Sequence, residues 1–148
     1  FRSPHMSAHA ILVPVFALAV WTFCILGCIA LARVRATRAR RVRTNDFRYG
    51  ESAEVPADVC LPNRNYMNLL ELPVLFYVVC LLLDLNRIAT PLMLALAWAY
   101  VALRMTHSLI HLRTRHDVMH RFLAFALSNG VLMLLWALAG SALFGADA

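Results

Sequence analysis

Three polar side chains lie where the second long apolar run of the chain begins. Arg64, Asn68 and Glu71 are spaced four and three residues apart. On an α-helix, which turns about 100° per residue, this spacing puts them on one face. A carboxylate that faced lipid would be costly, so we expect Glu71 to face protein, a water-filled cleft or the membrane interface. An arginine partner would keep it ionised.

A second polar face is predicted near the end of the third apolar run. Arg104, His107 and His111 are spaced three and four residues apart, so they also share a helix face. The simplest way to satisfy both faces is an ion pair between Glu71 and Arg104. A structural clamp is the alternative, because polar side chains also join membrane helices to one another.

The chain has more arginine at this end than one carboxylate needs. Guanidinium groups bind carboxylates through paired hydrogen bonds, so the surplus favours an anion site that opens toward the cytoplasm. The candidates are Arg33, Arg35, Arg64, Arg104 and Arg121.

His107 and His111 could alternatively bind a metal or a haem, but no third ligand is evident, and we predict no metal site. Ser108 lacks the partners of a catalytic triad and is interpreted as a helix-packing residue.

The composition predicts an integral membrane protein. Of 148 residues, 61% are hydrophobic, whereas soluble domains usually have about 45–50% apolar residues. The apolar residues form four runs, each long enough to cross a bilayer. We predict an all-α bundle with spans over residues 8–32, 67–85, 90–112 and 122–144. Residues 1–5 are interpreted as a cloning remnant, which leaves residues 6–148 as one domain.

The distribution of charge predicts the orientation of these spans. The formal net charge is +6, and every basic residue is arginine. Most arginines lie between spans one and two or between spans three and four, whereas the link between spans two and three has only Arg87. Both arginine-rich loops should therefore be cytoplasmic, with both termini on the outer side of the membrane. The same distribution favours a membrane over nucleic acid as the partner of this basic chain.

The connections between the spans differ in length. The short link between spans two and three requires antiparallel neighbours. Residues 33–65 form a long connection that mixes Gly, Pro, Asn and Asp and is expected to be irregular, although its arginine stretch could extend the first helix. Pro73 removes a backbone hydrogen bond to Leu69 and is expected to bend span two.

The residues that open span two resemble a family motif. Arg64-x-Tyr66-x-Asn68-x-x-Glu71, followed by Pro73 in a four-span chain of this length, is similar to the pattern of the MAPEG family. These are the membrane-associated proteins of eicosanoid and glutathione metabolism, and they include the microsomal glutathione transferases.

A second match extends the resemblance to about residues 7–144. It consists of Arg104-Met-Thr-His107 on span three and Arg121 at the start of span four. The proline position resembles a bacterial branch of the family, which implies a bacterial inner membrane with both termini in the periplasm. In the well-studied transferases span three carries tyrosines that contact glutathione, whereas this chain has Thr106 and His111 there. His111 could replace a tyrosine hydroxyl as a hydrogen-bond donor.

The resemblance implies a homotrimer of four-helix bundles, with glutathione bound between subunits near the cytoplasmic side. By motif match, the residues that would bind glutathione are Arg33 or Arg35, Arg64, Asn68, Glu71 and His107, and those that would act at its carboxylates or thiol are Arg104, Arg121 and His111.

The implied activity is that of a glutathione transferase or peroxidase acting on lipophilic electrophiles or lipid hydroperoxides, with an arginine-stabilised thiolate as nucleophile. Two other functions stay open. One is a non-catalytic lipid-binding or scaffold protein of the same fold, and the other is a proton-coupled transporter that uses Glu71. The surrounding arginines disfavour the transporter, because they would repel a cationic substrate.

Overall fold

Five α-helices make up most of the chain. The computed structural model describes residues 9–48, 53, 55–113 and 118–145, so the remnant proposed at residues 1–5 lies outside it. The helices are α1 Val13–Arg38, α2 Ala57–Leu70, α3 Pro73–Leu85, α4 Pro91–Arg113 and α5 Val118–Phe144. Helices α2 and α3 together form one of four segments that are long and apolar enough to cross a membrane. The all-α, four-span architecture is therefore confirmed.

The prediction of an irregular connection over residues 33–65 is wrong in part. Helix α1 continues to Arg38, as the arginine stretch allowed, and α2 already begins at Ala57. Pro56 precedes this helix and Asp58 lies in its first turn, where a negative charge is favourable. Pro62 lies inside α2, where it removes a backbone hydrogen bond. Proline is usually excluded from helix interiors, so this stretch had the pattern of a loop.

Span two is interrupted beside Glu71, which confirms the bend predicted from Pro73. Helix α2 ends at Leu70, and Pro73 is the first residue of α3. The Val74 and Leu75 N–H groups donate to carbonyls only three residues earlier, at 3.3 and 3.0 Å. Because proline has no N–H, the Leu69 carbonyl lacks its helical donor. The chain therefore passes from one helix to the next through tight turns.

The bundle core is apolar and lies between all four spans. Helix α1 packs against α2 and α4, and α5 packs against α3 and α4. Leu18, Phe76, Tyr100 and Leu135 have no exposed surface. The Phe76 ring stacks on the Tyr100 ring with centroids 4.6 Å apart. Spans two and three are thus in contact, as the short link between them predicted.

The connection after α1 forms a small cluster at the end of the bundle. Val42 and Val55 are buried in it together with Val59 of α2. Both terminal nitrogens of Arg41 donate to the Asp58 carboxylate at 2.9 Å. This hydrogen bond and the negative charge of Asp58 raise the pKa of the Arg41 guanidinium above its ordinary value. The segment is therefore fixed to the start of α2.

A buried serine joins three helices near the same end. The Ser108 hydroxyl oxygen of α4 accepts a 2.7 Å hydrogen bond from the Asn65 amide of α2. It accepts another, of 3.0 Å, from the Trp21 indole N–H of α1. Asn65 and Ser108 are both fully buried. The interpretation of Ser108 as a helix-packing residue is confirmed. Its partner Asn65 was not predicted, because it lies beside the stripe of Arg64, Asn68 and Glu71 and not on it.

We expect Ser108→Ala to lower the free energy of unfolding by about 1–2 kcal/mol, because it leaves two buried donors without their acceptor. Ser141→Ala is the matched control. The Ser141 side chain is exposed and donates only to the Leu138 carbonyl of its own helix. Unfolding of both variants in detergent should be compared with that of the parent chain. Equal stability of the two variants would contradict the role given to Ser108.

Candidate functional site

A pocket of about 270 Å³ lies between α2, α4 and α5. Its lining combines two histidines, an arginine and an amide with aromatic rings, namely Asn68, His107, His111, Arg121, Phe122 and Phe125. Phe122 is 60% exposed, which shows that the pocket opens to the outside of the bundle. Four residues predicted separately for the site therefore line one concave surface.

Three successive contacts join α4 to α5, two of them between residues that line this pocket and one deeper in the bundle. Arg104 pairs with Asn129, the His107 ring lies 5.9 Å from the Phe125 ring, and His111 pairs with Arg121. We call these contacts the α4–α5 ladder. Residues 121, 125 and 129 are four apart and residues 104, 107 and 111 are three and four apart, so each set lies on one helix face. Two antiparallel helices bring the two sets together in opposite order.

The His111 ring is oriented by Arg121. An Arg121 terminal nitrogen donates to His111 Nδ1 at 3.0 Å. Arginine stays protonated and has no acceptor, so Nδ1 must be the unprotonated nitrogen and the ring proton lies on Nε2. Nε2 is buried and has no hydrogen-bond partner among the described residues. The pairing thus leaves one buried donor unsatisfied beside an arginine.

His107 and His111 form one polar surface of α4. Their rings are stacked with centroids 6.2 Å apart, and both side chains are buried. The Arg121 guanidinium lies directly at this surface, 3.0 Å from His111 Nδ1. Among the described residues no group of histidine, cysteine and carboxylate ligands could hold a metal ion. The surface is suited to an anion.

Arg104 is not paired with Glu71, so that prediction is wrong. The Arg104 side chain is fully buried, and its Nε donates to the Tyr100 hydroxyl at 3.1 Å. One terminal nitrogen donates to the Asn129 side-chain oxygen at 3.4 Å, and the other is buried without a partner in the described chain. The guanidinium carbon lies 5.3 Å from the centre of the Phe125 ring. Neutral oxygens and aromatic rings take the place of the expected carboxylate.

Glu71 directly follows the end of α2 and does not reach Arg104. Its side chain is exposed, as is that of Arg64 two stripe positions earlier. The buried stripe of span two runs instead through Asn65, Leu69 and Pro73. The polar face predicted at the start of span two is therefore rotated by one residue from the bundle interior, with Asn68 at its edge.

The two arginines at the end of the first span do not occupy equivalent positions. Arg33 is half-buried, and its guanidinium carbon lies 4.8 Å from the centre of the Phe47 ring in the following connection. Arg35 is exposed. Neither lines the pocket described above.

Sequence reasoning missed Asn129 and Phe125, which complete the ladder from α5. Asn129 is a polar residue within an otherwise apolar span, and such residues usually face the bundle interior. Its spacing of eight residues from Arg121 places both on one helix face. This spacing is the sequence signal from which Asn129 could have been predicted as the partner of Arg104 on α5.

The chain was compared with known proteins. The sequence model of the MAPEG family matches residues 11–141. Neither the curated proteins nor the solved structures gave a significant match to the chain.

Proposed function

The chain belongs to the MAPEG family, and from this premise we propose that it is an integral membrane enzyme that uses glutathione. Its reaction would be transfer of the tripeptide to lipophilic electrophiles or reduction of lipid hydroperoxides. The observation that carries the proposal is the pairing of Arg121 with His111 in the open pocket of α2, α4 and α5.

The charge of this pocket fits the proposed cosubstrate. Glutathione has two carboxylates and one ammonium group, so it is an anion at neutral pH. The pocket lining contains a guanidinium and no carboxylate. Arg64 lies one helical turn before the pocket residue Asn68 on α2 and adds a second positive charge. Carboxylate binding by such groups is favourable because the guanidinium fork matches carboxylate geometry.

The unsatisfied His111 Nε2–H fits an acceptor from outside the chain. A buried donor without a partner costs about 1–3 kcal/mol, and a sulfur or carboxylate oxygen at this place would remove that cost. This agrees with the proposal that His111 stands where related transferases have a tyrosine. In our proposal Arg121 fixes the tautomer and His111 presents the proton to the ligand.

The chemistry follows from the positive charge beside the ligand. A thiol such as that of cysteine has a pKa of about 8.5, and a nearby guanidinium lowers the pKa of such a thiol. The thiol first releases its proton to solvent. The thiolate then forms a carbon–sulfur bond to the electrophile, whose leaving group departs with the electron pair of the broken bond. In peroxide reduction a second glutathione completes the disulfide, and the peroxide leaves as alcohol and water. Arg104 lies behind Phe125, so we assign it to positioning that ring and to the local field.

We further propose a homotrimer in which a second copy of the chain completes the site. The pocket opens outward, and Arg64 and Glu71 are exposed beside it. A neighbouring subunit would cover these polar groups, which would otherwise face lipid or solvent at the bundle surface. It would also place Glu71 near the ammonium group of a bound tripeptide.

We expect Arg121→Gln to weaken glutathione binding by at least tenfold, since hydrogen bonds to charged groups contribute about 1.5–3 kcal/mol. Titration of the purified protein with glutathione, followed by the ultraviolet absorbance of the thiolate, measures both affinity and ionisation. Arg113→Gln is the control, because Arg113 is exposed at the end of α4 and does not line the pocket. A flat titration with the parent chain would leave the scaffold function as the better explanation.

We expect His111→Phe to reduce glutathione affinity and turnover, because phenylalanine keeps the ring but removes the Nε2 proton. His111→Gln keeps a donor and should retain more activity than the phenylalanine variant. Steady-state kinetics with a lipophilic electrophile separate an effect on the Michaelis constant from one on turnover. Unchanged affinity and turnover in His111→Phe would refute the assigned role.

We expect the protein in mild detergent to have three times the mass of one chain. Light scattering combined with refractive index gives the protein mass apart from the bound detergent. Glu71→Arg should shift the mass toward the monomer if this side chain lies at a subunit boundary. A monomer under conditions that preserve glutathione binding would exclude the trimer but not the glutathione site.

A further inference from the structure

An unpaired group of arginines lies at the end of the first crossing helix, away from the glutathione pocket. Arg38, Arg40 and Arg43 are all exposed. In the described chain none of the three guanidinium groups forms an ion pair, whereas Arg41 among them is bound to Asp58. The Asp46 carboxylate accepts a 2.7 Å hydrogen bond from the Arg43 backbone N–H, not from a guanidinium, so within this part of the chain the three positive charges are not ion-paired. We call them the arginine patch.

The length of the first crossing helix places the patch within reach of the lipid headgroups. Residues 10–32 form the apolar part of the first crossing helix, about 34 Å long at 1.5 Å per residue. The hydrocarbon core of a bilayer is about 30 Å thick, and each headgroup layer adds about 5–7 Å. Arg38, six residues after the apolar part, therefore lies about 9 Å beyond it. At the average tilt of about 20° this distance is still about 8 Å, and the long arginine side chains can reach back from there to the headgroups.

The backbone keeps the rest of the patch near this level. Arg40 has a left-handed conformation with φ of 53°, and the chain reverses there instead of continuing the helix. The Arg41 N–H donates to the Ala36 carbonyl and the Arg40 N–H to the Thr37 carbonyl, each at 3.0 Å. Val42 then packs into the buried cluster that includes Ala36. The reversal therefore turns Arg43 back alongside α1.

Glycine is the usual residue at this position of a helix cap, because a side chain adds steric cost when φ is positive. The same cap ends α3, where Arg87 has φ of 56° and the Ile88 N–H donates to the Leu83 carbonyl. A left-handed arginine alone is therefore not distinctive. What distinguishes the first cap is the grouping of three unpaired arginines, and Arg87 serves as an internal control.

We propose that Arg38, Arg40 and Arg43 form a docking surface for the phosphodiester headgroups of anionic phospholipids in the adjacent leaflet. The guanidinium fork matches two phosphate oxygens, and several such groups next to a membrane helix attract anionic lipid. Such binding would anchor the connection between α1 and α2 to the membrane surface. It requires none of the pocket residues, so it stands independently of the glutathione proposal.

The test is binding of short-chain phosphatidylglycerol to the full-length protein in detergent, measured by native mass spectrometry. Phosphatidylcholine with the same acyl chains is the comparison lipid. Since each arginine at an anionic surface strengthens binding by about fivefold, we expect at least a tenfold preference for phosphatidylglycerol. Replacement of the three patch residues by glutamine should remove most of this preference. Arg35 is left unchanged because it is a candidate residue for the glutathione site.

Two single variants separate charge from backbone effects. Arg40→Gly puts glycine at the left-handed position of the cap, so thermal stability should be unchanged or higher. It also removes one charge, so the preference for phosphatidylglycerol should fall about fivefold. Arg87→Gly makes the same change at the cap of α3 and should leave the lipid preference unaltered. A triple variant that is folded but keeps the full preference would overturn the proposal. Displacement of the lipid by equal concentrations of inorganic phosphate would also overturn it, in favour of a free-anion site.

Discussion

The structure depends on the burial of a positive charge. Arg104 has no exposed surface, and in the described chain no carboxylate is bonded to it. Removing an ion from water costs several kcal/mol, so the surroundings must replace its hydration. The Tyr100 hydroxyl, the Asn129 amide and the Phe125 ring do so, and the last two belong to α5. The requirements of one guanidinium thus fix the position of α5 against α4.

The pocket is a consequence of the same arrangement. Once Asn129 faces Arg104, helical spacing brings Phe125 beside His107 and Arg121 beside His111. In the α4–α5 ladder, the contact between Arg104 and Asn129 stabilises the bundle. The contact between Arg121 and His111 orients a histidine in the proposed site. A structural clamp and a functional site were alternatives for the polar faces; the contacts of Arg104 fit a clamp, and the pocket at His111 is the functional site in our proposal.

Much of the fold could be predicted from sequence, because long apolar runs and arginine-rich ends are strong signals in membrane proteins. Pro73 likewise predicted the interruption of span two, since it cannot donate a backbone hydrogen bond. The beginning of α2 could not be predicted, because Pro62 gives its helix the composition of a loop.

Pairwise contacts were less predictable than helix faces. The periodicity of residues 104, 107 and 111 correctly gave one shared face, but it could not indicate which helix would meet it. A carboxylate was the expected partner of Arg104 by charge alone. A neutral amide with two aromatic rings can serve instead, and only tertiary packing decides between them.

The contacts of α4 also constrain the order in which the chain can become stable during synthesis. Trp21 and Asn65 belong to helices that are made early, yet their shared acceptor, Ser108, is made only with α4. Arg104 and His111 must in turn await Asn129 and Arg121 of α5. Spans three and four thus supply polar partners to groups already in the membrane, and this set of interhelical bonds is complete only when the last helix is in place.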